Sequence, residues 1–404
     1  MTPPGDSPRR RGLVALIGVG IVGLLVLVVW RTTASPPVVP VAATGAPSAL
    51  PSLVAIATSP AASAESSVAP TPIATEDLVA APLTGLLVTP AAAQQHPIAV
   101  MIDDHLAARP QSGFNAASVV WQAPAEGGIP RYMLIFQSTI PTAVGPVRSS
   151  REYYIEWAAE WNALYVHAGG SSQALATLAG KGHGQWVYNG EYFRYAGTYL
   201  WRVKFRAPPH NVYTDGMHLR ALAAKIGAKD GPIQPAWSFA PDAGADQRPT
   251  GGTITITYPY ETIRYRYDAA TNTYLRFIRQ TAGGAYKAQI DAADKVQVAP
   301  KNVVILRMFF GPLYQVDPHH RLEAHDVGHG EAWISTNGVT IKGTWSKASE
   351  TAPTLLFGPN GAPITLTAGQ TFVQVIPLTY SYKISDGSLP TASPAASPAP
   401  SAQP

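Results

Sequence analysis

Hydrophobic residues change their spacing part of the way along the chain. Four continuous apolar runs in the first part are typical of strands buried on both faces: residues 98–102, 118–122, 132–137 and 163–166. Farther along, apolar and polar residues alternate, which predicts four more strands: residues 253–257, 262–267, 274–278 and 302–309. Asn337-Gly338 and Asn360-Gly361 are hairpin signals between further strands. The pattern predicts an α/β N-terminal lobe with a parallel or mixed sheet, followed by a mostly antiparallel β C-terminal lobe.

Between residues 144 and 172 the pattern predicts two helices that each follow a strand. Ser149 and Glu152 have the spacing of a capping box, so a helix should begin near Arg151 and bury its tryptophans. If strands 132–137 and 163–166 flank this helix in a β-α-β unit, they run parallel with a right-handed crossover. Both helix N-termini would then lie at one edge of the sheet, where open α/β sheets bind their ligands. A further helix is predicted at residues 216–226.

The start of the first of these helices carries two arginines. A helix N-terminus holds unpaired N–H groups and about half a positive charge, so Arg148 and Arg151 need a negative partner there. Gly169, Gly170 and Ser171 precede the second helix and predict another group of backbone donors. An anion between the two helix starts would satisfy both groups, and a neighbouring carboxylate would also balance the arginines.

An uncharged segment lies near the start of the chain. Residues 13–30 are long enough to span a bilayer as a helix, and three arginines precede them at residues 9–11. By the positive-inside rule the N-terminus lies in the cytoplasm and the rest of the chain outside. Residues 32–34 also fit a small-residue cleavage site, so a cleaved signal peptide with a mature N-terminus at Ser35 is the alternative.

Composition divides the chain into folded and unfolded segments. They are a cytoplasmic stub at 1–12, a transmembrane signal-anchor at 13–30, a Pro/Ala/Ser-rich linker at 31–81, the α/β lobe at 82–228, an inter-lobe linker at 229–250, the β-rich lobe at 251–384 and a disordered tail at 385–404. The linker and the tail have too few apolar residues to form a core of their own.

Charge and cysteine content exclude several classes of protein. The formal charge of +4 is spread over 404 residues without a Lys/Arg run in the folded part, so nucleic acid is not an expected partner. The chain has no cysteine, which excludes disulfides, thiolate metal sites, a cysteine nucleophile and a lipid attached to an N-terminal cysteine.

Several long motifs resemble those of one family. In the first part they are VMIDDHLAARPQSG, APAEGGIPRYMLIFQS, VGPVRSSREYYIEWA, YVHAGGS and PHNVYT, and in the second HDVGHGEAWISTNGVTIKGTWSK and PITLTAGQTFVQVIP. Over residues 84–378 the chain resembles the YerB-like family of bacterial cell-envelope proteins. The resemblance implies paired domains of unknown function and a location in the cell envelope. Members of this family are typically lipoproteins, whereas this chain has no cysteine to acylate and is predicted to use a membrane helix.

The candidate site consists of polar residues at predicted strand ends and helix starts. The candidate ligand-binding residues are Asp103, His105, Arg131, Arg148, Ser149, Arg151, Gly169, Gly170, Ser171, His210 and Asn211. The candidate catalytic residues are Asp104, Glu126 and His167, since carboxyl and imidazole groups serve as general acids and bases. Three interpretations remain open: an internal salt-bridge network, a binding site without chemistry, and a catalytic site.

Two groups of residues could hold a metal, but neither signal is specific. Asp103 and Asp104 could offer oxygen ligands to Mg²⁺ or Ca²⁺. The histidines between residues 319 and 329, with Asp326, are typical of zinc tracts and equally of a solvated loop before a hairpin. The sequence predicts no metal and no cofactor.

Together these features predict a membrane-tethered, extracytoplasmic binding protein of the bacterial envelope. Its first lobe would hold an anionic ligand, such as a cell-wall polymer or its precursor. The alternatives are an envelope hydrolase or transferase acting on such a polymer, and a structural module that binds a protein partner and has no ligand.

Overall fold

The computed structural model describes residues 77–180, 186–314 and 319–390. The predicted stub, membrane segment and most of the linker lie outside these residues, as do residues 391–404. Within the described ranges, no helix is long and apolar enough to cross a bilayer. The described residues belong to one compact unit, Pro72–Pro404.

The helices are short. They are α1 (Pro90–Ala93), α2 (Glu152–Ala159), α3 (Ser172–Leu178), α4 (Tyr192–Tyr195) and α5 (Gly216–Ile226), with 3-10 turns at Leu106–Ala108, Glu126–Gly128 and Ala245–Gln247. Helix α5 has the predicted bounds, with Asp215 as its N-cap and Gly227 in the left-handed conformation at its end. Helix α2 follows Arg151, which makes no side-chain cap. The predicted capping box is therefore wrong, because the residues just before the helix are extended and paired with residues 168–171.

The described chain contains more β-strand than helix. The strands are β1 (Val79–Ala80), β2 (Leu87–Val88), β3 (Ile98–Asp103), β4 (Val119–Pro124), β5 (Pro130–Phe136), β6 (Leu164–His167), β7 (Tyr188–Glu191), β8 (Trp201–Arg202), β9 (Val212–Tyr213), β10 (Ser238–Ala240), β11 (Gly252–Thr257), β12 (Thr262–Asp268), β13 (Thr273–Arg279), β14 (Lys287–Ala288), β15 (Asn302–Met308), β16 (Phe310–Pro312), β17 (Leu322–Ala324), β18 (Gly328–Thr336), β19 (Val339–Lys347), β20 (Leu355–Phe357), β21 (Thr365–Thr367), β22 (Thr371–Pro377) and β23 (Ser381–Asp386). All eight strands predicted from hydrophobic spacing are present.

A ten-stranded mixed sheet forms the centre of the fold. Its order is β20-β19-β18-β15-β22-β4-β5-β3-β6-β7. Strand β22, near the end of the chain, lies between β15 and β4 and runs parallel to both. The two predicted lobes therefore share one sheet, since strands from residues 82–228 and from residues 251–384 are hydrogen-bonded neighbours in it.

Strands β5 and β6 do not form the predicted β-α-β unit. Strand β3 lies between them and pairs antiparallel with β5 and parallel with β6, so β5 and β6 run in opposite directions. The prediction of parallel strands with a crossover is wrong because the chain does not pass from β5 directly into α2. After β5 the chain first passes beside the C-terminal end of β3, where Val147 pairs with Ile102. It then passes beside the residues that follow β6, where Ser150 pairs with Gly170.

Alternate residues of the main sheet enter two different cores. In β3, Ile98, Val100 and Ile102 pack with the five-stranded sheet and α5, whereas Ala99 and Met101 pack with α2 and α3. Strands β3 and β4 are buried along their whole length, as their continuous apolar runs predicted. The described unit has three layers: α2 and α3, the main sheet, and the five-stranded sheet with α5.

The five-stranded sheet is entirely antiparallel and has the order β14-β13-β12-β11-β23. Ser385 and Asp386 end β23 and pair with β11, so the predicted disordered tail cannot begin at residue 385. Asn337-Gly338 forms the predicted hairpin between β18 and β19. Asn360-Gly361 joins β20 to β21, which belong to different sheets, and only a single bridge between Phe357 and Pro363 closes that turn.

Candidate functional site

Asp103 lies where β3 ends beside the start of β5. The pairing of these strands places Asp103 opposite Arg131, and Asp103 as a residue is 1% exposed. Arg131 Nη1 is 3.6 Å from Oδ1, while Arg148 Nε is 3.1 Å and His210 Nδ1 2.6 Å from Oδ2. Burial favours a higher pKa for Asp103, but Arg131 and Arg148 outweigh it and hold the pKa below its usual value. Asp103 is therefore an ionised carboxylate that contacts two guanidinium groups and the imidazole of His210.

Arg151 is paired with Glu126, which follows β4. Arg151 Nε donates to Glu126 Oε1 at 2.5 Å, and Arg151 Nη2 donates to Oε2. Arg151 Nη1 donates to the carbonyl oxygen of Ser150 at 2.6 Å. Burial favours a higher pKa for Glu126, yet the hydrogen bonds and charge of Arg151 lower it overall. The pair is a bidentate salt bridge. Glu126 is therefore the neighbouring carboxylate that the sequence analysis gave as the alternative to an anion beside Arg151.

Arg131, in contrast to Arg151, has no hydrogen-bond acceptor for its guanidinium group among the described residues. Arg148 Nε is also buried without a hydrogen bond, although it lies 3.1 Å from Asp103 Oδ2. Arg131 Nε is buried without a partner, and the carboxylate oxygen nearest to Arg131 is the one at 3.6 Å. Burial, followed by the charge of Arg151, lowers the pKa of Arg131 to about 10. Three guanidinium groups, those of Arg131, Arg148 and Arg151, therefore face two carboxylates, those of Asp103 and Glu126.

An open cleft of about 470 Å³ lies over this cluster, and we call it the cationic cleft. Its lining residues are Glu126, Arg131, Ser149, Arg151, Gly170, Ser171, Ser172, His319 and Arg321. Arg321 reaches it from just before β17 and donates from Nη1 to Ser172 Oγ at 2.6 Å. The sequence predicted the convergence of residues 149–151 with residues 170–171, and the structure achieves it through the pairing of Ser150 with Gly170.

The predicted group of backbone donors before α3 is largely occupied. Gly169 N donates to Glu191 Oε1 at 3.0 Å, and Ser171 N donates to the carbonyl oxygen of Ser150 at 3.2 Å. Ser171 Oγ accepts a hydrogen bond from Ala174 N at 3.2 Å as the cap of α3. These hydrogen bonds fix the backbone segment that forms one wall of the cationic cleft, whereas the charge of the cleft comes from its arginine and glutamate side chains.

Other predicted ligand residues lie away from the cleft. Arg148 is not part of its lining and makes its ion pair with Asp103. His105 stacks on His210, with ring centroids 4.8 Å apart, and its Nδ1 accepts from Ala107 N. Asn211 accepts from Arg202 Nη1 at 2.6 Å and donates to Val203 O, so it joins β8 to β9.

The structure does not bring the three predicted catalytic residues together. Glu126 is held by Arg151 in the cationic cleft. His167 is fully buried, with Nδ1 2.9 Å from Gly169 O and Nε2 2.9 Å from Asn189 Oδ1. Asp104 lies in a separate buried network, where Gln122 Nε2 donates to its Oδ2 at 3.0 Å. Their arrangement supports structural roles for His167 and Asp104.

The network around Asp104 joins the main sheet to the five-stranded sheet. Arg109 bridges Asp104 and Glu261, and Gln122 donates to both carboxylates and accepts from Arg276 Nη2 at 2.7 Å. Burial and the charge of Glu261 outweigh Arg109 and raise the pKa of Asp104 to about 8. The sequence offered one overlooked signal, because Arg276 falls in the same alternating phase as the buried Tyr274 and Ile278.

The histidine-rich tract forms no metal centre in the part of the chain that the structure describes. In these ranges, no three His, Asp or Glu side chains are close enough to share a metal ion. His319 lines the cationic cleft, whereas His325 and Asp326 line a different one. The tract therefore contributes to two separate surfaces.

Comparison with known protein families gives two matches that together cover most of the described chain. Residues 83–229 match the family described as "Protein of unknown function (DUF3048) N-terminal domain". Residues 254–373 match the family described as "Protein of unknown function (DUF3048) C-terminal domain". The first match ends at residue 229 and the second begins at residue 254, so the gap between them corresponds to the predicted inter-lobe linker.

A curated relative and a solved structure show the same similarity. The chain is 28% identical to the "Putative lipoprotein YerB" of Bacillus subtilis over 76% of this chain and 89% of that protein. It also matches the crystal structure of the YerB protein from Bacillus subtilis with a TM-score of 0.65 and 26% identity. That match covers 76% of this chain and 99% of the crystallised one.

Proposed function

The chain belongs to the DUF3048 family of paired domains, as its resemblance to YerB-like proteins predicted, and from this premise we propose that it is a membrane-anchored, extracytoplasmic protein that binds an anionic ligand. The Bacillus subtilis relative supports the location, since that protein is described as a putative lipoprotein. This chain has no cysteine to carry a lipid, so we assign the anchor to the uncharged segment at residues 13–30.

The proposed topology predicts the outcome of proteolysis on intact spheroplasts. A protease added outside should digest residues 77–390 and leave a short N-terminal fragment in the membrane, because the arginines at residues 9–11 keep that end in the cytoplasm. Immunoblotting with antibodies against each end checks this result. Protection of the folded part would contradict the topology, and a mature N-terminus at Ser35 would replace the anchor by a cleaved signal peptide.

The observation that supports anion binding is the unsatisfied guanidinium group of Arg131 in the cationic cleft. A buried guanidinium group without an acceptor is costly, and a phosphate or carboxylate oxygen would supply the missing hydrogen bonds. The surplus of one positive charge over Asp103 and Glu126 favours the same class of ligand. In an envelope protein, polymers or precursors of the cell wall provide such groups, and we propose them as the ligand class.

The state of Glu126 favours binding over catalysis. A general acid or base needs a carboxyl group free to exchange a proton near neutral pH. Both oxygens of Glu126 accept from Arg151, and this pairing lowers its pKa. The hydrolase or transferase alternative would need another group that transfers protons. Besides Glu126, His319 is the one carboxyl or imidazole group in the lining of the cationic cleft.

The binding proposal predicts a specific effect of Arg131→Gln. The wild-type protein should gain thermal stability with inorganic phosphate or glycerol phosphate at constant ionic strength. The variant should bind about tenfold or more weakly, because hydrogen bonds to charged groups contribute about 1.5–3 kcal/mol. Isothermal titration calorimetry measures the affinity, and Arg266→Gln, which changes an exposed arginine on β12, is the matched control.

The same variant distinguishes binding from a purely structural role. Burial lowers the pKa of Arg131, so its charge already costs stability, and Arg131→Gln should change the melting temperature little without ligand. An internal salt bridge would behave otherwise, since breaking a buried pair costs about 3–5 kcal/mol. A strongly destabilised variant, with no response of the wild type to either phosphate, would show that the cluster is structural.

A further inference from the structure

A cavity of about 410 Å³ lies between the segment that follows β3 and the strands β13 and β14 of the five-stranded sheet. We call it the glutamine cavity because Gln111, Gln280 and Gln289 line it. It shares no lining residue with the cationic cleft. Its volume lies within the range of about 300–1,000 Å³ that is typical of small-molecule sites.

Apolar side chains from two separate segments line the glutamine cavity. They are Leu106, Pro110, Ile278, Ala285, Ala288 and Ile290. Leu106 is 50% exposed, so the described chain leaves much of this large apolar side chain uncovered. No carboxylate is among the lining residues. An aliphatic group of a ligand would remove this apolar surface from water, which is favourable.

Gln289 is the unsatisfied polar group of this cavity. The residue is 6% exposed, and neither its Oε1 nor its Nε2 has a hydrogen-bond partner among the described residues. Its backbone is fixed, because its N–H donates to Arg276 O at 3.0 Å and its carbonyl oxygen accepts from Val298 N at 2.9 Å. A buried amide without partners is costly. The side chain has three rotatable torsions, so it can turn its amide toward a ligand in the cavity that it lines.

Gln111 brings a second amide to the cavity, from the segment after β3. It is 1% exposed, and its Nε2 donates to Asp103 O at 3.0 Å and to Asp104 Oδ1 at 3.2 Å. These two hydrogen bonds fix the orientation of its amide. Its Oε1 accepts no hydrogen bond within the described ranges. The cavity therefore offers an acceptor on Gln111 and both a donor and an acceptor on Gln289.

The other polar groups of the lining are already engaged. Arg109 pairs with Asp104 and Glu261, and its Nη1 donates to Gln280 Oε1 at 2.8 Å. Gln280 Nε2 in turn donates to Tyr260 O at 3.1 Å. The charge of Arg109 is thus balanced inside the protein, and the groups left for a ligand are the uncharged amides.

We propose that the glutamine cavity is a second binding site and that its ligand carries an amide group beside an aliphatic group, as in the peptide unit of an aliphatic amino acid. Gln289 Nε2 donates to the carbonyl oxygen of this ligand, and the ligand's N–H donates to Oε1 of Gln111 or Gln289. The aliphatic group packs against the apolar lining. A metal ion fits less well, because no carboxylate lines the cavity.

The direct test is a saturation-transfer NMR titration of the full chain with Nα-acetyl-L-leucine methylamide. This probe has two peptide units and an aliphatic side chain, and it carries no charge. It should bind, whereas Nα-acetylglycine methylamide, which lacks the aliphatic group, should bind about tenfold or more weakly. The ester analogue, in which oxygen replaces both N–H groups of the leucine probe, should bind about fivefold more weakly because it has lost the donor.

Matched variants locate the site. Gln289→Met keeps the length of the side chain and removes both polar atoms, so it should weaken binding of the leucine probe about fivefold or more. Gln247→Met, the same change at an exposed position, should have no effect. Without ligand, Gln289→Met should melt at the temperature of the wild type or above it, because the amide has no partner among the described residues to lose. Ala288→Phe adds bulk to the cavity wall at an exposed position and should also weaken binding.

Each contrary result overturns the proposal. The glutamine cavity is not a site for such amides if the wild type does not bind the leucine probe, or if Gln289→Met and Ala288→Phe bind it as well as the wild type does. A melting temperature of Gln289→Met clearly below that of Gln247→Met would show that the protein itself holds the Gln289 amide, and it would also contradict the proposal. None of these outcomes bears on the anion site, whose test uses Arg131 and phosphate.

Discussion

Replacing Arg276 by leucine is expected to lower the free energy of unfolding by about 1–3 kcal/mol, because it leaves the buried Gln122 Oε1 without its hydrogen-bond donor. Arg276 is fully buried between the two sheets, and Nε donates to Tyr265 Oη at 3.0 Å. Its guanidinium group also lies 5.2–5.6 Å from the ring centroids of Tyr132, Tyr265 and Phe372. Arg109 already pairs with both Asp104 and Glu261, and the loss of Arg276 would remove the second positive charge near these two carboxyl groups.

Urea unfolding followed by tryptophan fluorescence measures this effect. Arg266→Leu is the control, since Arg266 is exposed on the neighbouring strand β12 and should tolerate the change. The double variant Arg276→Leu with Glu261→Gln keeps one carboxyl group, that of Asp104, beside one arginine, Arg109. It should therefore recover part of the lost free energy of unfolding. Equal stability of Arg276→Leu and the control would mean that the network contributes little to joining the sheets.

Residues 77–250 and 251–390, expressed separately, are expected not to fold. Separation breaks the pairing of β22 with β4 and leaves each of these two buried strands with an unpaired edge. Phe372 of β22 would also lose Phe114, its aromatic neighbour from the first segment. The family matches divide the chain between residues 229 and 254, but the hydrogen bonds of the main sheet cross that boundary.

Circular dichroism and amide hydrogen exchange check this expectation, with residues 77–390 as the folded control. The separate segments should lack cooperative thermal unfolding and exchange their amides rapidly. Mixing them should restore β-structure if their strands can still associate. A cooperative transition in residues 77–250 alone would contradict this expectation. It would show that the first family domain folds independently, as the prediction of two separate lobes implies.

Hydrophobic spacing located the strands because burial determines which residues they contain. Strands β3 and β4 are buried on both faces, and a continuous apolar run is the direct result. Spacing does not encode direction, so the antiparallel arrangement of β5 and β6 could not be predicted from it. Nor does it show which strands are neighbours, and two lobes were therefore predicted where β22 connects both segments in one sheet.

The candidate site could be predicted in part for a similar reason. Charged residues at strand ends indicated the edge where Arg131, Arg151 and Ser171 meet in one cleft. The partner of each arginine depends on tertiary distances, so nothing in the sequence distinguished Arg151, which is paired with Glu126, from Arg131, which has no hydrogen-bond acceptor among the described residues.

The central position of β22 also ties folding to the order of synthesis. The ribosome makes residues 371–377 late, so β4 has no partner on that side until most of the chain has been translated. The first segment must therefore stay incompletely folded while the rest is made. A chain that crosses a membrane before it folds, as we propose for this one, benefits from this delay, because secretion channels admit unfolded chains more readily than closed sheets.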